Sequence, residues 1–399
     1  MLRFADGHGY CSFAKVGFKY TAGAGFFGSS GTLTGSIDPG PFASTSGLTW
    51  KVAHGGADFV GNTGYVLAVD MGATESTWIA SMWINPSNIT SRQTFFALIS
   101  NEPPNKLPAM VLHLNAALQL EMNTQNSGVG SVAYPRINQL VANSFTSNYT
   151  FPQGAWTHIC IRCVFLNGSN GRIQLWVNGS LDTDVQMLNI GPTTAVSQAW
   201  FPWQTPLAST TQIEISQVLI CDVNGSLNNT QVSPTAQFAT IFPNSDVANG
   251  GWTPASAGSN FSQVDSATGP GAGAYVTLPA LTFPDELFGI PAVSTGGQNL
   301  ALVANVCSVL SGAATLQALM QQSATKYLLG NVMTVPNPAP QTLQGIAETN
   351  PATGAAWKDS DISADAFGFR GLTGTGENVE QFFLEKIFTL GLGSYSYSK

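Results

Sequence analysis

The sequence predicts an all-β protein made of two β-sandwich domains. Three observations carry this expectation. Short runs of alternating apolar and polar residues recur along the chain, Gly, Asn and Pro punctuate them, and the texture changes once, near residue 241. Alternation of period two sets one face of a strand in a core and the other toward water.

Composition fits such a protein. The 399 residues allow two or three domains, each with its own core. Apolar residues make up 44% and charged residues only 9%, against about 25% in an average soluble chain. Ser, Thr, Asn, Gln and backbone must therefore supply the polar surface. The net charge is −8 with no basic run, so no nucleic-acid partner is expected, because phosphates require Lys and Arg.

Five cysteines cannot all pair. Cys160 and Cys163 lie within WTHICIRCVFL, which reads as a strand. Residues three apart on a strand face opposite ways, so neither a shared metal nor a mutual disulfide is expected. Reduced thiols fit folding in a cytoplasm. The opening MLRFADGHGYCSFAKVGFKY lacks a continuous apolar stretch, so no secretory signal is expected. No run of about 18 apolar residues suggests a membrane span or membrane insertion. Sequons begin at Asn88, Asn148, Asn167, Asn178, Asn224 and Asn260, as composition alone would produce.

The strands follow in order. STWIASMWINP alternates Trp78, Ala80, Met82 and Ile84 against Ile79, Ser81 and Trp83, and is expected to stop at Asn85-Pro86. TFFALIS and AMVLHLN come next. ALQLEMN sets Leu118, Leu120 and Met122 against Gln119, Glu121 and Asn123. WTHICIRCVFL and GRIQLWVNG form a hairpin across Asn167-Gly168-Ser169-Asn170-Gly171, since Asn-Gly supplies the positive φ that such turns need.

This order resembles the concanavalin A-like, laminin-G-like jelly roll. The residues that carry the likeness are Trp156, His158 and Ile159 on one strand, then Leu175, Trp176, Val177, Asn178 and Gly179 on the next. It covers residues 1–240. His158 reads as a satisfied strand histidine, because no second ligand-type residue stands at metal spacing. His8, His54 and His113 form no motif. In AWFPWQT, Trp200, Phe201 and Trp203 are candidates for stacking a sugar ring or meeting another subunit, with internal packing the favoured reading.

Residues 241–399 read as a second β-sandwich domain with a C-terminal extension. Its opening is rich in Gly, Pro, Ser and Asn, yet Trp252, Phe261, Val264 and Tyr275 recur through it as anchors that a linker would lack. The region resembles one found toward the C-terminus of tailed-bacteriophage virion proteins. Trp252, Thr253, Pro254, Gly258, Ser259, Asn260, Val264 and Asp265 match a first element. Asn350, Pro351, Thr353, Gly354, Trp357, Ile362, Phe367 and Gly368 match a second. Two departures stand out: SATGPGAGAYV carries no acids where acids are usual, and Lys358 replaces a Thr. SGAATLQALMQQSATKYLLG suits a helix by propensity, but the resemblance and its alternation favour strands.

Three readings compete for TNPATGAAWKDSDISAD. Asp359, Asp361, Ser363 and Asp365 alternate as in a calcium loop, but Ala364 stands where a turn glycine belongs and Arg370 where the last acid belongs. Paired catalytic carboxylates are the second: jelly rolls of the kind this chain resembles include glycoside hydrolases whose acids alternate along one strand as E-x-D-x-x-E, and no such run exists in this sequence. The structural reading fits every residue: Asn350-Pro351 and Thr353-Gly354 turn the chain, Trp357 fills a gap, burying ~200 Å², and Ser360 or Asp361 caps a short helix, ISADAF.

Taken together, the resemblance implies a structural component of a tailed-bacteriophage particle, tail-associated, with capsid decoration or a carbohydrate-binding adhesin module as alternatives. It implies assembly into the virion from the host cytoplasm. Its partners would be copies of itself in a homo-oligomer, other virion proteins and a host-surface glycan. No cofactor, metal or catalytic residue is expected, and the sequence reads as a non-enzyme.

Overall fold

The computed structural model describes residues 1–6, 18–21, 36–37, 48–52, 64–100, 108–124, 143–166, 170–188, 196–204, 212–225, 229–265, 274–279, 283–294, 296–309, 314–335, 341–374 and 377–389. The predicted hairpin turn at Asn167-Gly168-Ser169 lies outside them, as do His8 and His54. Among the described residues the fold is almost entirely β, with two short helices. The chain divides into two compact units, built mainly from residues 18–234 and 235–399. No helix among the described residues is long and apolar enough to cross a membrane.

The first unit contains β1 (Leu2–Asp6), β2 (Phe18–Thr21), β3 (Ser36–Ile37), β4 (Leu48–Val52), β5 (Gly64–Glu75), β6 (Thr77–Ser87), β7 (Gln93–Ser100), β8 (Pro108–Leu114), β9 (Gln119–Thr124), β10 (Asn143–Thr150), β11 (Thr157–Val164), β12 (Gly171–Val177), β13 (Ser180–Leu188), β14 (Val196–Gln204) and β15 (Gln212–Asp222). One sheet runs β13-β12-β11-β6-β15-β4-β3, with β1 beside β15; the other runs β10-β9-β8-β7-β14-β5-β2.

Contacts between the sheets identify their inner faces. Cys163 Sγ on β11 lies 3.0 Å from Met110 Sδ on β8. The fully buried Trp78 of β6 donates its indole N–H to the Val196 carbonyl of β14 at 3.0 Å. Cys160 faces the other way, where its sulfur accepts the Val232 N–H at 3.4 Å. The two thiols therefore occupy opposite sides of one sheet, as strand geometry requires.

β6 runs on through Asn85-Pro86, past its expected end, with Pro86 opposite Ile213. Proline is tolerated near a strand end, and its carbonyl accepts the Gly154 N–H at 2.8 Å.

The second unit contains β16 (Ala236–Ile241), β17 (Ser245–Asn249), β18 (Thr253–Pro254), α1 (Phe261–Val264), β19 (Val276–Thr277), β20 (Asp285–Gly289), β21 (Gln298–Val309), β22 (Ala314–Gln322), β23 (Thr325–Val335), β24 (Gln341–Ala347), α2 (Asp359–Ala364), β25 (Ala366–Thr373) and β26 (Asn378–Thr389). Its sheets run β18-β19-β26-β21-β24, with β16 also on β26, and β17-β20-β25-β22-β23. The stretch with helical propensity is the antiparallel pair β22–β23. Aromatic rings bridge the two sheets: Phe288 of β20 and Phe369 of β25 lie 5.5 and 5.8 Å from Phe382 of β26.

Candidate functional site

The residues singled out in the second unit build two internal clasps. In the first, the buried indole of Trp252 packs edge-on against Phe369, with centroids 4.9 Å apart, and donates to the Pro284 carbonyl at 3.3 Å. Asn260 is also buried. Its amide donates to the Trp252 carbonyl at 3.2 Å and to Glu286 Oε1 at 2.9 Å. Asp246 accepts the backbone N–H groups of Asn260 (3.0 Å) and Phe261 (2.7 Å). Pro254 sits opposite Val276 in the β18–β19 pair. Asp265 ends α1, and burial raises its carboxyl above the ordinary range. Glu286 is fully buried, and its Oε2 has no hydrogen-bond partner. Burial, with a smaller push from Asp246, raises its carboxyl to about 8 against the Asn260 hydrogen bond.

The second clasp holds the sequence 350–365. Asn350 is fully buried. Its side-chain oxygen accepts the Ala352 N–H at 2.9 Å, and its carbonyl accepts Gly354 N–H at 2.8 Å. Pro351 follows it in the turn, and Gly354 has φ +69°, a value that favours glycine. Trp357 is 3% exposed and donates its indole N–H to the Ala347 carbonyl at 2.9 Å.

The expected cap is corrected here. α2 starts at Asp359, Lys358 occupies the N-cap without a side-chain bond, and neither Ser360 nor Asp361 caps it. Asp361 instead accepts from Asn350 Nδ2 at 3.3 Å. The other acids are engaged separately. Asp365 accepts from Gln322 at 3.4 Å. Asp359 Oδ1 accepts from Asn299 Nδ2 at 3.0 Å and from the buried Lys386 ammonium. Arg370 pairs bidentately with Asp285 at 2.5 and 2.9 Å.

In the first unit, Phe201 is fully buried and packs on Phe96 at 5.2 Å. Its ring therefore offers no face to a sugar. Trp200 and Trp203 lie on β14 opposite Ala68 and Tyr65, and their side chains fall outside the described residues. His158 is buried, its Nε2 is 2.8 Å from Ser81 Oγ, and burial lowers its imidazole to about 3.

Sequence reasoning passed over a polar array on the opposite face of β8 from Met110. His113 stands across from Thr94 and Glu121, and Asn123 is two residues further along β9. His113 Nδ1 is 2.7 Å from Thr94 Oγ1. Burial, then the nearby Arg92, lowers the imidazole to about 3, so the ring is neutral. Arg92 and Glu121 pair at 2.9 Å and are half-buried, and Asn115 donates to Glu121 at 3.1 Å. His113 Nε2 and Asn123 Oδ1 are buried without a hydrogen-bond partner. The signal lay in the outward positions of AMVLHLN and ALQLEMN, where His, Gln, Glu and Asn alternate with apolar residues.

Comparison with known proteins agrees with the first fold. Residues 60–222 match Laminin_G_3, a family of the concanavalin A-like lectin/glucanases superfamily. The chain thus carries a concanavalin A-like, laminin-G-like β-sandwich. No curated protein matches the chain.

Similar solved structures include the endo-β-1,4-glucuronan lyase of the fungus Trichoderma reesei, 14% identical, with a TM-score of 0.39, covering 55% of this chain and 95% of that one. Alginate lyase Aly36B with alginate tetrasaccharide is 13% identical, with a TM-score of 0.30, covering 44% and 81%. A Trypanosoma rangeli sialidase is 8% identical, with a TM-score of 0.29; the match covers 47% of this chain and 26% of the sialidase.

These neighbours correct the non-enzyme expectation. They are lyases and a sialidase. At these identities they assign no reaction to this chain.

Proposed function

We propose that the chain is a structural component of a tailed-bacteriophage particle, tail-associated, that assembles with copies of itself and with other virion proteins. One observation carries the reading. Trp252, Asn260, Asn350 and Trp357, which carry the resemblance to phage virion proteins, are all buried and spent on internal clasps. What the resemblance shares is therefore a way of building a rigid module. Capsid decoration is the alternative position. The test is mass spectrometry of purified particles with copy counting: dozens of copies or fewer support the tail, and hundreds place the chain on the head. Its absence from particles overturns the proposal.

A second reading rests on the polar array. The concanavalin A-like fold occurs in carbohydrate-binding and glycan-acting proteins. Arg92, Glu121 and Asn115 line the half-buried rim of the array. Such groups suit sugar hydroxyls and carboxylates. We propose this face as the glycan contact. A glycan array with the purified chain, repeated with Arg92→Ala, tests it: binding lost in the variant supports the assignment, and equal binding overturns it.

A further inference from the structure

The end of the second sandwich brings together three groups that the proposed function leaves unused. Lys386 lies on β26 opposite Leu302, a residue of the inner core, so its side chain enters the sandwich. The residue is fully buried, and its ammonium sits 5.2 Å from the Phe388 ring centre. Asn299 lies at the start of β21, opposite Phe388, where a bulge shifts the register. It is 4% exposed, and its Oδ1 has no hydrogen-bond partner. Its Nδ2 donates to the Trp357 carbonyl at 3.0 Å and to Asp359 Oδ1 at 3.0 Å. The same Asp359 oxygen meets the Lys386 ammonium. One carboxylate oxygen thus touches both a lysine nitrogen and a carboxamide nitrogen, in a setting that excludes most water.

This is more than a buried ion pair requires. An ion pair needs only lysine and aspartate; the carboxamide on the same oxygen adds an electrophilic carbon with a nitrogen leaving group. We propose that Lys386 and Asn299 join through an intramolecular isopeptide bond, with Asp359 as the proton carrier.

The reaction balances with no further reactant. The Lys386 ammonium passes a proton to Asp359, and the neutral Nζ attacks Asn299 Cγ. A C–N bond forms and the carbonyl π pair moves onto Oδ1. Asp359 then gives its proton to Asn299 Nδ2, the pair on Oδ1 re-forms the carbonyl as the Cγ–Nδ2 bond breaks, and ammonia leaves with that bond's electrons. The proton still on Nζ returns to Asp359 and leaves with ammonia as ammonium. The product is a secondary amide, and Asp359 ends ionised, as it began. Folding supplies the proximity that makes a slow amine–amide exchange effectively unimolecular.

The test is mass spectrometry of the full chain, denatured, beside Lys386→Arg, Asn299→Ala and Asp359→Ala. The expected wild-type mass is lower than the sequence mass by one ammonia, with a branched peptide joining the Asn299 and Lys386 segments after pepsin digestion. Each variant is expected at its full sequence mass. Lys386→Arg keeps the charge, and circular dichroism establishes its folding; the wild-type mass decides the matter even if a variant does not fold. A wild-type chain at full sequence mass, with unbranched peptides, overturns the proposal. Loss of water with a Lys386–Asp359 amide overturns the assignment of Asn299. Loss of ammonia retained in a folded Asp359→Ala overturns the role of Asp359.

Discussion

His158 and Asn178 hold one another by the backbone. The His158 N–H donates to Asn178 Oδ1 at 3.0 Å, and the Asn178 N–H donates to the His158 carbonyl at 2.9 Å. Asn178 and Gly179 follow with φ of +48° and +83°, as a two-residue turn with both central residues left-handed demands. An added Cβ on Gly179 would also come within 3.2 Å of Pro234. Replacing Asn178 with Ala is expected to cost about 1–3 kcal/mol, through one orphaned donor and a less tolerant left-handed residue. Urea denaturation of the variant checks this; an unchanged midpoint counts against the clasp.

Trp357 closes one end of the second sandwich. Trp357→Ala removes a buried indole and leaves the Ala347 carbonyl without that donor. The expected loss is about 3–5 kcal/mol. Trp357→Phe keeps much of the apolar volume and should lose less. Equilibrium unfolding followed by far-ultraviolet circular dichroism separates the two.

Glu286 should make the second domain sensitive to alkali. Its carboxyl is raised from 4.5 to about 8 by burial, so between those values the folded state holds a proton that the unfolded state has released. Stability therefore falls as pH rises through that window, by at most about 1.4 kcal/mol per pH unit, and levels off above it. Glu286→Gln keeps the hydrogen-bonding shape without the charge. Thermal melts at pH 5 and pH 8 are expected to draw closer in this variant, with a remaining gap set by Glu377, whose carboxyl burial raises to about 7. An unchanged pH dependence would rule Glu286 out as its source.

Cys160 and Cys163 should resist alkylation in the folded chain. Burial pushes the Cys160 thiol up to about 12 and the Cys163 thiol higher still, so neither is a thiolate at neutral pH. Maleimide labelling mapped by peptide mass is expected at both positions only once denaturant unfolds the domain. Labelling of either in native buffer contradicts the burial described.

The parts of the fold that depend on neighbours in sequence were legible. Alternation in WTHICIRCVFL and GRIQLWVNG sufficed to pair β11 with β12, and Trp357 was readable as a plug from its turn and its size. The helix start was not, because a Ser or Asp near a helix can bond a distant partner in place of the cap; Asp361 bonds Asn350. The polar clusters were harder still. Asn299, Asp359 and Lys386 meet only because β21 and β26 pair with a particular bulge, and no local pattern states that register. A Glu-Lys pair inside the apolar run FFLEKIFTL was the one visible sign.

β26 runs through the middle of its sheet, bonded to β16, β19 and β21. It is also the last strand in chain order among the described residues. A ribosome making this protein must therefore release residue 389 before that sheet can close. Until then the halves that will flank it have bare edges facing each other across an empty slot. The domain is built with its keystone delivered last, and a chain cut short even by a dozen residues of that strand would lack the centre of the arch.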